Sequence, residues 1–268
     1  MRLDQYLVEN GLFESRSKAQ YAINQGSVIV NGSVCTKASA NIKENDTIEL
    51  DQNLMPYVGK GGLKLEGAIS KFKIDANGKT AIDIGSSTGG FTDCLLAHGA
   101  SKVLAVDIGK DQLHQKLRED NRVISLEQTD IRILTTEQVI DSIGNLPDLI
   151  VSDVSFISLL KIVQPIYTFS DEKTQIVLLL KPQFETEGSG LGKNGILKDK
   201  KMHKAIAKRV ISGLLASGIH VVNMVPSPIK GGDGNIEYLL YCKKVVDTSN
   251  VIAENYNTDT IIDMAFNA

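Results

Sequence analysis

The chain has 268 residues, 42% of them hydrophobic and 23% charged, with a formal net charge of −3, a size that suits one substantial α/β domain plus a small module. Ten Lys+Arg face nine Asp+Glu in residues 1–79, whereas residues 247–268 hold four acids and no base, which excludes a wholly basic nucleic-acid binder and leaves any phosphate-binding face to local clustering. The first residues alternate charged and apolar groups unlike a secretory leader, and the longest apolar stretch, Ile176–Leu180, is far too short to span a bilayer, so a soluble, cytoplasmic protein with no membrane partner is expected.

Residues 2–24 carry two short helical patterns, Leu3, Tyr6 and Leu7, then Ala19, Ala22 and Ile23 after Ser15, a residue type that caps helices. After a turn at 24–26, Val28–Val30 reads as a strand entering a tight hairpin at Asn31-Gly32, and Asp46–Leu50 reads as its closing strand. Arg2, Arg16, Ser17, Lys18 and Lys37 come from three elements of this small unit. Taken singly they are ordinary solvated polar groups. The ordered string R-L-D…S-R-S-K-A…I-x-x-G-x-V-x-V-N-G, however, resembles the S4-type (αL) RNA-binding module. That resemblance implies structured RNA held by shape and phosphate contacts, with those five residues, and Lys60 beyond them, as its RNA contacts.

Residues 51–62 hold a proline and three glycines without periodicity and read as a linker, placed at 53–62 between a module of 1–52 and a domain of 63–245. A helix is predicted from Leu63 to Phe72, with Lys64 in its first turn. Next comes Ala81-Ile-Asp-Ile-Gly-Ser-Ser-Thr-Gly-Gly-Phe-Thr-Asp93, an apolar run that stops at a glycine-rich turn and opens a helix. Such a turn presents backbone N–H groups and a helix N-terminus to a ligand. It lacks the G-x-G pair of a dinucleotide fold and carries Asp83 at the strand end. A carboxylate there repels a pyrophosphate but suits an ammonium, such as the amino acid end of S-adenosylmethionine. The pattern D-x-G-x-x-x-G-G therefore favours a methyl donor over NAD, although a glycine-rich βα turn can also be plain punctuation.

Further strands are predicted at 103–107, 123–126, 146–153, 175–181, 219–224 and 236–242, with a helix across 201–215. Asp107, ending the second strand 24 residues after Asp83, can accept from ribose hydroxyls. Its neighbour Ile108 lies beside that position, and Asp130 is placed to face an adenine amino group. The glycine-rich stretch Glu185–Asp199 reads as a mobile loop but not a P-loop, its spacing being one short with Asn194 in place of Ser/Thr. Cys35, Cys94 and Cys242 are odd in number and form no C-x-x-C, so neither a disulfide framework nor a metal site is expected. The acidic stretch 246–268 reads as a tail.

Alternating strands and helices predict a right-handed, mostly parallel, Rossmann-like α/β sheet with its last strand antiparallel, joined to the small N-terminal α+β module. In such a sheet the C-terminal strand ends form the ligand crevice. Asp153 and Lys181 end strands there, Glu237 begins the antiparallel strand there, and Lys64 starts a helix that points there. Lys64 and Glu237 could be surface charges and Asp153 a helix cap. Lys181, after Ile-Val-Leu-Leu-Leu and before Pro182, is harder to dismiss: lost water should lower its pKa and make a neutral amine available as a base. With Arg2-Leu-Asp, Gly61-Gly-Leu-Lys-Leu65, Asp83–Asp93, Ser152-Asp-Val-Ser-Phe156, Leu180-Lys-Pro-Gln-Phe-Glu185 and Gly234-Asn-Ile-Glu237, residues 1 to about 243 resemble the TlyA family, often labelled hemolysins. Its members join an S4-type module to an FtsJ-type ribose 2′-O-methyltransferase.

The resemblance implies Lys64, Asp153, Lys181 and Glu237 as the catalytic tetrad, and Asp83, Gly85, Ser86, Thr88, Gly89, Gly90, Phe91, Asp107, Ile108 and Asp130 around S-adenosylmethionine. It implies ribosomal RNA or ribosomal subunits as partner, and a cytidine ribose as the acceptor. Two alternatives stand beside it: a pore-forming cytolysin, as the hemolysin label says, and an RNA-binding protein with an inactive methyltransferase fold.

Overall fold

The computed structural model describes residues 1–268 except 14–15, 25, 44, 51–55, 187, 189, 232–233, 247–255 and 268, and omits the side chains of residues 17, 18, 21, 24 and 193. The expected cap Ser15, the side chains of Ser17 and Lys18, residue 25 of the first turn, residues 53–55 of the linker and most of the acidic C-terminal stretch thus lie outside the described residues. The chain divides into two compact units, Met1–Tyr57 and Val58–Ala268.

In the first unit, helices α1 (Leu3–Glu9) and α2 (Arg16–Asn24) accompany a three-stranded antiparallel sheet of β1 (Val28–Val30), β2 (Ser33–Val34) and β3 (Ile48–Leu50), ordered β2-β1-β3. Asn31 and Gly32 both have positive φ, 51° and 75°, as a two-residue type I′ hairpin requires. β3 starts two residues later than the sequence suggested, because Asp46 spends its carboxylate on Asn31 Nδ2 and the Lys43 amide in the preceding turn. Leu3, Leu7, Ala19, Ala22, Ile23, Val28 and Ile42 form the core.

The second unit opens with α3 (Gly61–Phe72), then β4 (Thr80–Ile84), α4 (Gly90–Ala97), β5 (Lys102–Val106), α5 (Gln115–Arg118), β6 (Val123–Leu126), α6 (Thr136–Ile143) and β7 (Leu149–Ser152). It continues with α7 (Val163–Phe169), β8 (Gln175–Leu180), α8 (Lys200–Ala216), β9 (Ile219–Pro226), β10 (Tyr238–Lys244) and α9 (Thr258–Asn267). The seven strands lie in the order β6-β5-β4-β7-β8-β10-β9. The pairs from β6 to β8 are parallel, and β10 runs antiparallel to both its neighbours. Its strands read as unbroken apolar runs because both faces are covered. Ile82, Ile84, Leu104, Ile150, Ile176 and Leu178 pack on one face against Val139 and Ile143 of α6, Ile166 and Phe169 of α7 and Val210 and Leu214 of α8.

Two boundaries differ from the sequence reading. α3 begins at Gly61, so Gly61 and Gly62 belong to a helix and not to a linker. The stretch read as an acidic tail contains α9, whose buried Ile262 and Ala265 join the core and which packs on α8 and β9. Among the described residues no helix is long and apolar enough to cross a membrane.

Candidate active site

Asp153 immediately follows β7, Lys181 immediately follows β8, and Glu237 immediately precedes β10, whose Tyr238 pairs with Leu180. Parallel and antiparallel strands thus deliver three charged side chains to one sheet edge, and Lys64 enters from the first turn of α3. Lys181 Nζ lies 2.6 Å from Asp153 Oδ1, Asp153 Oδ2 is 3.8 Å from Lys64 Nζ, and Lys64 Nζ is 2.7 Å from Glu237 Oε2. The result is a chain of alternating charge, Lys181–Asp153–Lys64–Glu237, with side-chain exposures of only 9%, 18%, 7% and 3%. Two cations and two anions cancel, which is what permits such burial: a single unpaired charge there would be prohibitive. Ser155 Oγ accepts from Lys181 Nζ at 2.7 Å, and Gln183 Nε2 donates to Glu237 Oε1 at 3.3 Å. The Phe184 ring lies 5.8 Å from the Lys181 amine and packs, tilted by 45°, against Phe156, which is 90% exposed. Lys60 stands on the same cavity. Burial, with the Lys64 charge added, pushes its amine below the ordinary lysine value, and Glu237 opposes the shift.

Lys64, Asp153 and Lys181 border a cavity of about 220 Å³ whose wall also includes Lys60, Gly61, Gly85, Ser86, Thr88, Gly90, Phe91 and Ser155. A larger, open cleft of about 500 Å³ lies at the other ends of the strands, around Leu146, Asp171, Lys173 and Lys244; among the described residues no glycine-rich turn lines it. At the small cavity, a Cβ on Gly90 would sit 2.9 Å from the amide nitrogen of Gly62 and 3.1 Å from the carbonyl oxygen of Gly59, so the starts of α3 and α4 touch backbone to backbone. Gly89, at φ 93°, caps α4 in the left-handed region.

Asp83 corrects an expectation. It is the penultimate residue of β4 and not its end, it is fully buried, and it is absent from the cavity wall. Successive strand residues point to opposite faces, and Asp83 takes the face where Thr92 of α4 donates to its Oδ2 at 2.7 Å. Burial pushes its carboxyl up to about 7, the Thr92 hydroxyl pulling the other way and the Asp153 and Asp107 charges adding to the rise. Its Oδ1 has no hydrogen-bond partner among the described residues. Asp107 accepts from the Ser87 amide at 2.8 Å and the Gly109 amide at 2.6 Å, which ties the turn to the end of β5, beside the 75% exposed Ile108. Asp130, 31% exposed, accepts from Nε and Nη2 of the neighbouring Arg132. These groups fit a sulfonium nucleoside: an orphaned buried acceptor under the turn, Gly85 and Gly90 on the cavity wall at the start of α4, and an acid at the second strand end.

Residues 57–244 match the FtsJ-like methyltransferase family and residues 1–48 match the S4 domain. The chain belongs to the FtsJ-like methyltransferase family. Hemolysin A of Brachyspira hyodysenteriae is 47% identical over 241 residues, 90% of this chain and 99% of that protein. The 16S/23S rRNA (cytidine-2′-O)-methyltransferase TlyA of Mycobacterium tuberculosis (strain ATCC 25618 / H37Rv) is 36% identical over 247 residues, 92% and 91% of the two chains. A solved structure from Streptococcus thermophilus that carries the hemolysin label is 35% identical, covers 100% of this chain and 96% of its own, and superposes with a TM-score of 0.76.

Within the S4 unit, Arg2 and Arg16 are not independent surface charges. Both donate to Asp4, Arg2 at 2.9 and 3.0 Å and Arg16 at 3.0 Å, and Gln20 adds a bond of 2.6 Å. Asp4 is fully buried, while the arginine side chains stay about half exposed, at 47% and 56%. The hydrogen bond from Arg2 is the main cause that holds the Asp4 carboxyl well below the usual carboxylate range. Lys37 is exposed on the loop after β2. Lys60, expected from sequence to contact RNA, lies in the FtsJ-like unit on the wall of the small cavity. No role for Asp4, Ser155, Gln183 or Thr92 was read from sequence. For Asp4 the available signal was its place in the Arg2-Leu-Asp string, and for Thr92 its place in the first turn of the helix after Asp83.

Proposed function

We propose that this chain methylates the 2′-hydroxyl of a cytidine ribose in ribosomal RNA, using S-adenosylmethionine, with the S4 unit contributing RNA affinity. The observation that carries this reading is the buried chain of alternating charge, Lys181–Asp153–Lys64–Glu237, set against the cavity of the glycine-rich turn. The methyltransferase activity borne by the M. tuberculosis relative's name supports the substrate class. When bound, the donor supplies a methyl carbon already activated on a sulfonium. The Gly85–Phe91 turn, Asp107 and the buried charge of Asp83 would hold it.

A ribose hydroxyl is a weak nucleophile at neutral pH, so the chain has two tasks, to orient it and to take its proton. Lys181, once its own proton has passed to solvent, accepts the hydroxyl proton at Nζ, and Asp153 at 2.6 Å stands against the ammonium that results. Ser155 fixes the direction of the amine, and Lys64, clamped by Glu237, keeps Asp153 in place from the other side. Intact ribosomal subunits, purified protein and methyl-labelled donor test the reading. Label is expected on a ribose 2′-oxygen of a cytidine, mapped by mass spectrometry. Label on a base, or none with either subunit, would sink it, and lysis of erythrocytes by the monodisperse protein would favour the cytolysin alternative.

A further inference from the structure

We infer that Glu66, Cys94 and His98 form a binding site for a zinc-class divalent transition metal, bridging α3 and α4 apart from the methyl-transfer cavity. Cys94 and His98 stand four residues apart along α4 and its C-terminal cap, so they share one face a turn apart. Glu66 projects from α3 onto the same spot. His98 Nε2 lies 2.8 Å from Glu66 Oε2, Cys94 Sγ lies 4.0 Å from that oxygen, and all three donor atoms fall within 4.8 Å of one another. Tetrahedral zinc, with its sulfur at about 2.3 Å and nitrogen or oxygen at about 2.0–2.1 Å, separates its donors by roughly 3.3–3.6 Å. The present separations bracket that spacing, so small side-chain rotations suffice.

The donor set is one thiol, one imidazole and one carboxylate, the mixed borderline chemistry that zinc accepts and that calcium and magnesium refuse. Access comes from the solvent side, where His98 is 32% and Glu66 42% exposed, while Cys94 is buried behind them. Water can complete the fourth position from that side. Loading forms a sulfur–metal bond and releases the thiol proton to solvent, so affinity should rise with pH. The site is not a second view of the tetrad. Glu66 and Lys64 are two residues apart on α3 and therefore point to different sides of the helix. Its occupation would instead pin α3, which carries Lys64, to α4, which begins inside the glycine-rich turn.

The full-length protein, stripped with a chelator and kept reduced without added thiol, is titrated with cobalt(II) alone. One equivalent should bind with a thiolate-to-cobalt charge-transfer band that zinc then abolishes. Cys94→Ser should remove the band, and Cys35→Ser should leave it. His98→Gln and Glu66→Gln, at accessible positions, should each weaken binding by at least the ~10–100-fold that loss of a mere supporting partner costs a metal site. Zinc should raise the melting temperature of the wild type and not of His98→Gln. Should Cys94→Ser fail to fold, the His98 and Glu66 variants decide. No band at any cobalt concentration that keeps the protein in solution, a band that survives Cys94→Ser, or affinity unchanged by both Gln variants would overturn the site.

Discussion

Lys181 separates two readings of the tetrad. If it accepts the hydroxyl proton, Lys181→Arg keeps a cation beside Asp153 but supplies no amine able to shed its proton. Single-turnover methyl transfer should then fall by roughly 10²- to 10⁴-fold, the usual consequence of losing a general base, while donor binding by calorimetry stays near wild type. Near-normal turnover would reduce Lys181 to a structural partner of Asp153. Asp83 makes a second prediction, this one about pH. Its carboxyl rises from 3.8 to about 7 in the folded chain, so the native state binds this proton more tightly than the unfolded one, and stability from this group falls as pH rises between those values. His203, whose imidazole is pushed down by burial, has the opposite sign, so the comparison must be with a variant. Thermal melts should show Asp83→Asn gaining on wild type from pH 4 to pH 7 and holding a constant advantage above. Donor affinity should drop by roughly 10- to 100-fold with the lost charge. A flat difference across that range would mean the carboxylate is not paying the burial penalty its surroundings imply. Three members of the tetrad were legible because Asp153, Lys181 and Glu237 each abut an apolar run that forms a buried strand, and Lys64 because it opens a helix aimed at the same edge. Asp83 was misplaced by one residue because strand ends cannot be located that finely from sequence, and one residue reverses the face.

The starts of α3 and α4 show why an element can matter more than any residue on it. Gly90 lets the two helices meet backbone to backbone at Gly59 and Gly62. In Gly90→Ala the new methyl would meet backbone atoms that cannot rotate away. Overpacking of that kind costs about 1–3 kcal/mol, against at most ~1 kcal/mol returned by alanine's better helix propensity. A net loss of stability is therefore expected in a denaturant melt, together with weaker donor binding. Stabilisation instead would mean the helix starts move apart freely. Neither α9 nor the early start of α3 was read from the chain. Gly61-Gly62 looks like a loop because glycine disfavours helices, and only the close approach of α4 explains its presence there. The apolar positions Ile262 and Ala265 lie among acids that dominate any reading by charge. The metal site was invisible for a related reason: cysteine spacing along the chain is silent about a glutamate contributed by another helix.

The two units also differ in how their charges serve the molecule. In the S4 unit, Arg2 and Arg16 share a single buried carboxylate, so together with Asp4 they offer one net positive charge, held in fixed geometry, where the sequence suggested two free cations. Folded, Asp4 keeps its carboxyl below the usual range. Its stabilisation is thus present above the ordinary carboxylate pKa and lost only as pH falls below it, the reverse of Asp83. At the neutral pH of an RNA-binding assay the cluster is therefore intact. Each arginine that contacts a phosphate displaces a condensed counterion and adds about 0.7–0.9 to the slope of log affinity against log salt. Arg16→Ala should lower that slope by about one such increment and weaken rRNA binding, while methyl transfer to RNA supplied at saturation stays near wild type. Asp4→Asn retains acceptor geometry for one arginine and removes the shared negative charge. If the cluster's main task is phosphate contact, this variant should bind rRNA at least as tightly at low salt, with a steeper slope. If its main task is to orient the arginines, binding should weaken with the slope unchanged. Filter-binding titrations across a salt series on the full chain distinguish the two, and a slope indifferent to both Arg16→Ala and Asp4→Asn would remove this cluster from the RNA-binding surface altogether.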